Sequence, residues 1–115
     1  MRGSYKEKRA GERIPANIAV RFFCVTSLNA VYYGTVNNIS EKGMLIKTET
    51  CFPRNTDINL FIYKEKIMQV DAKVKRWIRT EGLYEAMGIE IINPDEEYFQ
   101  FISSLKREAI TSGNI

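Results

Sequence analysis

Between Ile14 and Phe22 every second residue is apolar. Ile14, Ala16, Ile18, Val20 and Phe22 share one side, with Asn17 and Arg21 on the other. A period of two predicts a half-buried strand. Pro15 falls near its start, where a missing amide donor is tolerated. SLNA, residues 27–30, has turn composition. VYYGTVNNI, 31–39, is rich in β-branched and aromatic residues and predicts a second strand. SEKG interrupts it, and MLIKT, 44–48, predicts a third. FPRNTD, 52–57, carries loop chemistry. INLFIY, 58–63, predicts a fourth strand, KEK at 64–66 a hairpin turn, and MQVDAKVKRWIR, 68–79, a fifth strand. In the fifth, Val70, Ala72, Val74 and Arg76 alternate against Asp71, Lys73 and Lys75. TEG turns the chain, and LYEAMGIEII, 83–92, predicts the sixth strand. Short strands at near-regular spacing predict an all-β antiparallel barrel or sandwich.

The period then lengthens to that of a helix. Asn93 has the chemistry of an N-cap and Pro94 suits a first helical position. Asp95, Glu96 and Glu97 complement the positive end of a helix dipole. Tyr98, Phe101, Ile102, Leu105 and Ala109 recur on one face, with Lys106 and Arg107 expected in the last turn. The pattern predicts an amphipathic helix over 94–110 packed on the barrel, its aromatic stripe part of the core. Trp77, in mid-strand, is expected to pack against the barrel rather than serve as a stacking platform. The organisation is thus an arm over 1–13, a barrel over 14–93 and a helix over 94–110, one domain in a chain of 115 residues.

Composition narrows the function. The chain is 44% hydrophobic, ordinary for a globular protein. No apolar run approaches the roughly 18 residues of a membrane helix. The charged N-terminus lacks the apolar segment of a secretory signal. A cytoplasmic protein, a monomer without membrane insertion, is expected. Cys24 and Cys51 stand outside any C-x-x-C spacing and are expected as buried reduced thiols. There is no histidine, which removes His-dependent triads, the usual general base and His-containing zinc sites. No paired acidic motif stands out. The sequence therefore predicts no enzyme, no metal and no cofactor. The net charge is +3, but residues 1–21 hold six basic and two acidic residues, while the remainder is close to balanced. A positive excess confined to the N-terminal segment points to an anionic partner.

Within that segment, KEKRAGER at 6–13 contains Arg9-Ala-Gly-Glu-Arg13, an R-x-x-x-R ahead of the first strand. Asn38-Ile-Ser-Glu-Lys-Gly43 is an N-x-S-x-x-G at the turn between strands two and three. Arginine grips phosphate bidentately and pairs with the O6 and N7 acceptors of guanine. Asn38 offers an acceptor and donors, Ser40 a hydroxyl, and Gly43 close backbone approach. Each motif alone is ordinary, since basic pairs are commonly solvated and hairpin turns are made of Asn, Ser and Gly. The information lies in finding both in one small all-β domain with a terminal helix.

That combination resembles the PilZ family, bacterial receptors for cyclic dimeric GMP (c-di-GMP), whose pattern is R-x-x-x-R followed by D/N-x-S-x-x-G on a six-stranded barrel with a following helix. Met87-Gly88-Ile89-Glu90-Ile91 is similar to the family's G-[VI]-x-F strand ending, with Ile91 in place of phenylalanine. The resemblance implies a ligand, c-di-GMP, contacted by Arg9 and Arg13 and walled by Asn38, Ser40 and Gly43. It implies that Lys8, just before the first motif arginine, favours a stacked pair of ligand molecules over one. It further implies an arm that orders on binding and an effector protein that reads the change, with output in motility, surface polysaccharide or virulence. Asn38 stands where the family often has aspartate, which removes a charge and bears on affinity. Two other classes fit less well. A barrel binding RNA or single-stranded DNA through the basic arm conflicts with the balanced charge of the barrel. A scaffold that has lost its ligand conflicts with two intact motifs.

Overall fold

The structure, a computed structural model, describes residues 12–80 and 83–111. Six strands form a closed antiparallel barrel: β1 (Ile14–Cys24), β2 (Ser27–Ile39), β3 (Gly43–Lys47), β4 (Asp57–Lys64), β5 (Lys66–Thr80) and β6 (Leu83–Ile92). The order around the barrel is β1-β2-β3-β6-β5-β4, with β4 paired to β1 to close the ring. One helix, α1 (Glu96–Thr111), follows.

Period-two patterning builds the interior. Ile14, Ile18, Val20 and Phe22 of β1 point inward, as do Ile58, Leu60 and Ile62 of β4 and Val70, Ala72 and Val74 of β5. Met87, Ile89 and Ile91 supply the β6 side. At one end Phe52, in the loop between β3 and β4, packs edge-on against Phe22 and Tyr32 at centroid distances of 6.0 and 5.2 Å. Trp77 lies at that end, its indole N–H donating to the Phe52 carbonyl at 2.6 Å. At the other, Tyr98, Ile102 and Leu105 of α1 join the core.

Four details differ from the sequence expectation, each for a local reason. Ser27–Ala30 is not a turn but the start of β2. The chain reverses at Val25 and Thr26, and Cys24 pairs directly with Ser27. Pairing of Ser27 with Cys24 draws the segment into β2, and its turn-like composition falls where the register shifts before Phe22 meets Tyr32. The helix begins two residues later than predicted: the Asp95 carboxylate accepts from the Tyr98 amide at 2.9 Å, which makes Asp95 the N-cap. Asn93 instead takes a left-handed conformation, φ 51°, that turns the chain out of β6. Because α1 runs to Thr111, Lys106 and Arg107 sit before its last turn, and Ala109 is exposed, so the buried stripe ends at Leu105. Finally, Arg76 does not share the inward side with Val74. The β5–β6 register shifts between Val74 and Arg76, and Lys75 and Arg76 both face outward. This β-bulge returns Trp77 to the side of its partner Met87, which is fully buried.

Candidate ligand-binding site

Arg13 is positioned by the first pairs of the β1–β2 ladder. Ile14 faces Ile39 and Pro15 faces Asn38, so the residue before β1 arrives at the end of β2. A second irregularity presents Asn38. The β2–β3 register shifts between Val36 and Asn38, and Asn37 and Asn38 both turn away from the core while Val36 and Ile39 stay fully buried. The Arg13 guanidinium donates to the Asn38 side-chain oxygen at 2.9 Å. Two predicted site residues thus meet across 25 positions of sequence.

Ser40 and Gly43 take a different part. Ser40 is 2% exposed, and its hydroxyl oxygen accepts from the amides of Lys42 at 3.2 Å and Gly43 at 3.3 Å. The Ser40 amide donates to the Gly43 carbonyl at 2.8 Å. The hydroxyl is therefore spent inside the turn, whose shape it fixes. Gly43 pairs with Glu90 on β6, and a Cβ there would run into the Ile89 carbonyl oxygen. Its glycine is required by close strand approach. The turn is pinned from outside too: the Tyr98 hydroxyl donates to the Ser40 carbonyl at 2.6 Å, and the Lys42 carbonyl accepts from the Ile91 amide at 2.8 Å. Tyr98 is fully buried, and desolvation pushes its phenol well above the usual tyrosine range. Lys8 and Arg9 lie outside the described residues, as do the expectations that rest on them, the ligand pair and the ordering arm.

Beside the turn a hollow of about 360 Å³ opens between β3, β5 and β6. Arg13, Lys42, Lys75 and Arg76 line it with the backbone of Gly43 and Gly88, and Glu90 is its one carboxylate. Lys75 pairs with Glu90 at 3.6 Å. Neither Lys42 nor Arg76 has a carboxylate within ion-pair distance among the described residues. Four cations around one carboxylate give the hollow a local positive excess. Lys42, Lys75 and Arg76 were missed by motif reasoning. Their signal was the outward pair Lys75-Arg76, which breaks strict alternation in β5 as Asn37-Asn38 does in β2.

Cys24 and Cys51 are free thiols, half-buried rather than buried as expected, and partial desolvation raises the Cys51 thiol above its ordinary value. Among the described residues no group of three or more Cys, Asp or Glu could hold a metal ion, and no helix is long and apolar enough to cross a membrane.

The barrel, its capping helix and a basic hollow at the β2–β3 turn define a small β-barrel module with a cation-rich mouth. The chain belongs to the PilZ domain family, whose model matches residues 7–107. No curated protein sequence matches it. Among solved structures it is similar to the inhibitor of motility MotI/DgrA of Bacillus subtilis, at TM-score 0.74 and 16% identity, over 92% of this chain and 53% of that one. It is also similar to the PilZ domain of Escherichia coli YcgR with c-di-GMP, at TM-score 0.67 and 15% identity, over 94% of this chain and 99% of that domain. Against the longer YcgR chain in complex with c-di-GMP the TM-score is 0.73 at 15% identity, over 91% of this chain and 49% of that one. The chain thus spans about half the length of MotI/DgrA and of that YcgR chain. At such identities the likeness is one of fold.

Proposed function

We propose that this protein is a receptor for c-di-GMP that passes the binding event to a partner protein. The observation that carries the proposal is the meeting of Arg13 and Asn38, the second arginine of one family motif and the first residue of the other, at the mouth of a hollow lined by four cations. A cyclic dinucleotide presents two phosphates and two guanine edges. Arginine suits both groups, and Asn38 can share its oxygen with Arg13 while its amide faces a guanine acceptor. The structure of a YcgR PilZ domain with c-di-GMP supplies the ligand chemistry, and the fold shared with an inhibitor of motility supports an output through another protein. Motility, polysaccharide or virulence machinery are the outputs to test. The role is recognition rather than turnover, exercised in the cytoplasm.

Isothermal titration with c-di-GMP, with c-di-AMP and a guanine-rich oligonucleotide alongside, tests the proposal. Saturable binding of c-di-GMP in preference to both others is expected. Binding of the oligonucleotide alone would make the module a nucleic-acid binder, and no binding of c-di-GMP would overturn the receptor assignment.

A further inference from the structure

The strand registers place Asn38, the partner of Arg13, and Arg76 on one line. Pro15 faces Asn38 on β2, Asn38 faces Leu45 on β3, Leu45 faces Gly88 on β6, and Gly88 faces Arg76 on β5. All five belong to a single lateral row on the outside of the barrel, because directly opposed residues point to the same side of a sheet. Asn38 and Arg76 stand three strand spacings apart, roughly 14 Å along the sheet. Between them the row holds only the half-buried Leu45 and the bare backbone of Gly88. The row is a shallow trough with a polar group standing at each end.

Arg76 is aimed into it by two independent features. The bulge at Lys75 sets it on the outer face instead of the core, the kind of irregularity that re-aims a side chain. Gly88 then gives it room. A Cβ on Gly88 would lie 2.9 Å from the Arg76 Nε and 3.0 Å from its Cγ, so the side chain lies directly across the glycine. Arg76 is exposed, and no carboxylate among the described residues pairs with it.

We propose that Arg76 is a further ligand-binding arginine, anchoring by a charge-assisted contact the far half of a dinucleotide whose near half is held at Arg13 and Asn38, and that Gly88 acts as its positioning residue. This rests on the c-di-GMP assignment above. Lys42 and Lys75 flank the trough and add charge without the planar fork of arginine.

Titration calorimetry of the wild type, Arg76→Ala, Gly88→Ala, the double variant and Arg13→Ala tests it, each at two salt concentrations. Arg76→Ala should weaken c-di-GMP binding by about tenfold or more and flatten its salt dependence, with the melting temperature unchanged. Gly88→Ala keeps every cation but pushes the flexible Arg76 side chain aside. It should weaken binding several-fold when Arg76 is present and add nothing when Arg76 is absent, a non-additivity that a general loss of stability would not produce. If Arg13→Ala abolishes binding while Arg76→Ala stays within about twofold of wild type, the Arg76 assignment is overturned and the receptor assignment stands. If the wild type shows no heat with c-di-GMP, the receptor assignment falls. Inorganic pyrophosphate then decides the anion role: amide NMR shifts at Gly88 and Lys75 that vanish in Arg76→Ala support it, and their absence in the wild type overturns it.

Discussion

Two hollows on this barrel are lined by cations, and they differ in what those cations touch. The larger, about 440 Å³, lies between α1 and the β4–β5 hairpin over an apolar floor of Ile62, Met68, Phe101 and Leu105. Both of its lysines are answered: Lys64 by Glu108 at 3.4 Å and Lys66 by Glu97 at 3.2 Å. The smaller, beside the β2–β3 turn, holds four cations, of which only Lys75 pairs with a carboxylate among the described residues. Volume favours the first hollow and chemistry the second. A cation already paired has little to offer an anionic ligand, since binding would first have to break the pair. Neutralisation from within the chain marks the helix side as a docked surface, and the scarcity of ion pairs among the described residues of the turn side leaves its cations open to the proposed ligand.

The sharpest way to break the comparison is at the glycines. Gly43→Ala drives a methyl into the Ile89 carbonyl, a backbone atom that cannot step aside, and should cost about 3 kcal/mol or more in urea unfolding. Gly88→Ala meets only a flexible side chain and should leave the unfolding midpoint near that of wild type. Equal destabilisation by both would mean that Gly88 serves the barrel and not Arg76.

Next in size is the loss of ligand. Arg13→Ala should lower c-di-GMP affinity roughly ten- to a hundredfold, about 1.5–3 kcal/mol, with Arg9→Ala expected to do the same. Lys64→Ala and Lys66→Ala, on the other hollow, should stay within about twofold by the same titration. A large loss from either lysine would move the site to the helix side.

Tyr98→Phe should cost about 1–2 kcal/mol, because the buried Ser40 carbonyl loses its donor from α1. The same residue gives a pH signature. Its phenol ionises at higher pH in the folded protein than in the unfolded chain, where it titrates near pH 10. Its contribution is complete below pH 10. As pH rises further the unfolded chain releases a proton the native state retains, and stability falls by up to about 1.4 kcal/mol per pH unit. Urea midpoints of wild type and Tyr98→Phe should therefore converge above pH 10, and parallel profiles would contradict the burial of that hydroxyl.

Smallest should be the surface pairs themselves. Removing Lys64 or Lys66 exposes no uncompensated buried charge and should shift stability by under about 1 kcal/mol.

Most of the barrel was legible because alternation is a physical signature of a half-buried strand. From Ile14 to Phe22 the residues placed on one side of the strand are those that form the core, with Ala16 only half-buried at the ladder irregularity. The reading failed where local composition met a tertiary constraint. SLNA looked like a turn but opens β2, with Ser27 paired to Cys24, and Asn93 looked like a cap but is used for its left-handed backbone. At the candidate site, the motif spacing singled out Arg13 and Asn38, and their contact follows from the pairing of Pro15 with Asn38. The division of labour inside N-x-S-x-x-G did not show, because a serine that shapes a turn and one that meets a ligand are the same letter. Lys42, Lys75 and Arg76 were hidden because their convergence depends on the order β3-β6-β5 and on a bulge that strict alternation misplaces.

That bulge also bears on how the domain can vary over evolutionary time. In most of β5 the loss of one codon would be ruinous. Deleting Ala72, for example, would turn every later side chain to the opposite face. Lys75 is the exception, since it is the extra residue against β6 and lies past the last β4–β5 pair, Asp57 with Lys73. Its deletion would leave Val74 and Trp77 on their present sides with Arg76 alone between them. The residue that enriches the mouth of the hollow is thus the one place in the strand where the gene can shorten without rewriting the core, so relatives can gain or shed a cation there while keeping the same barrel.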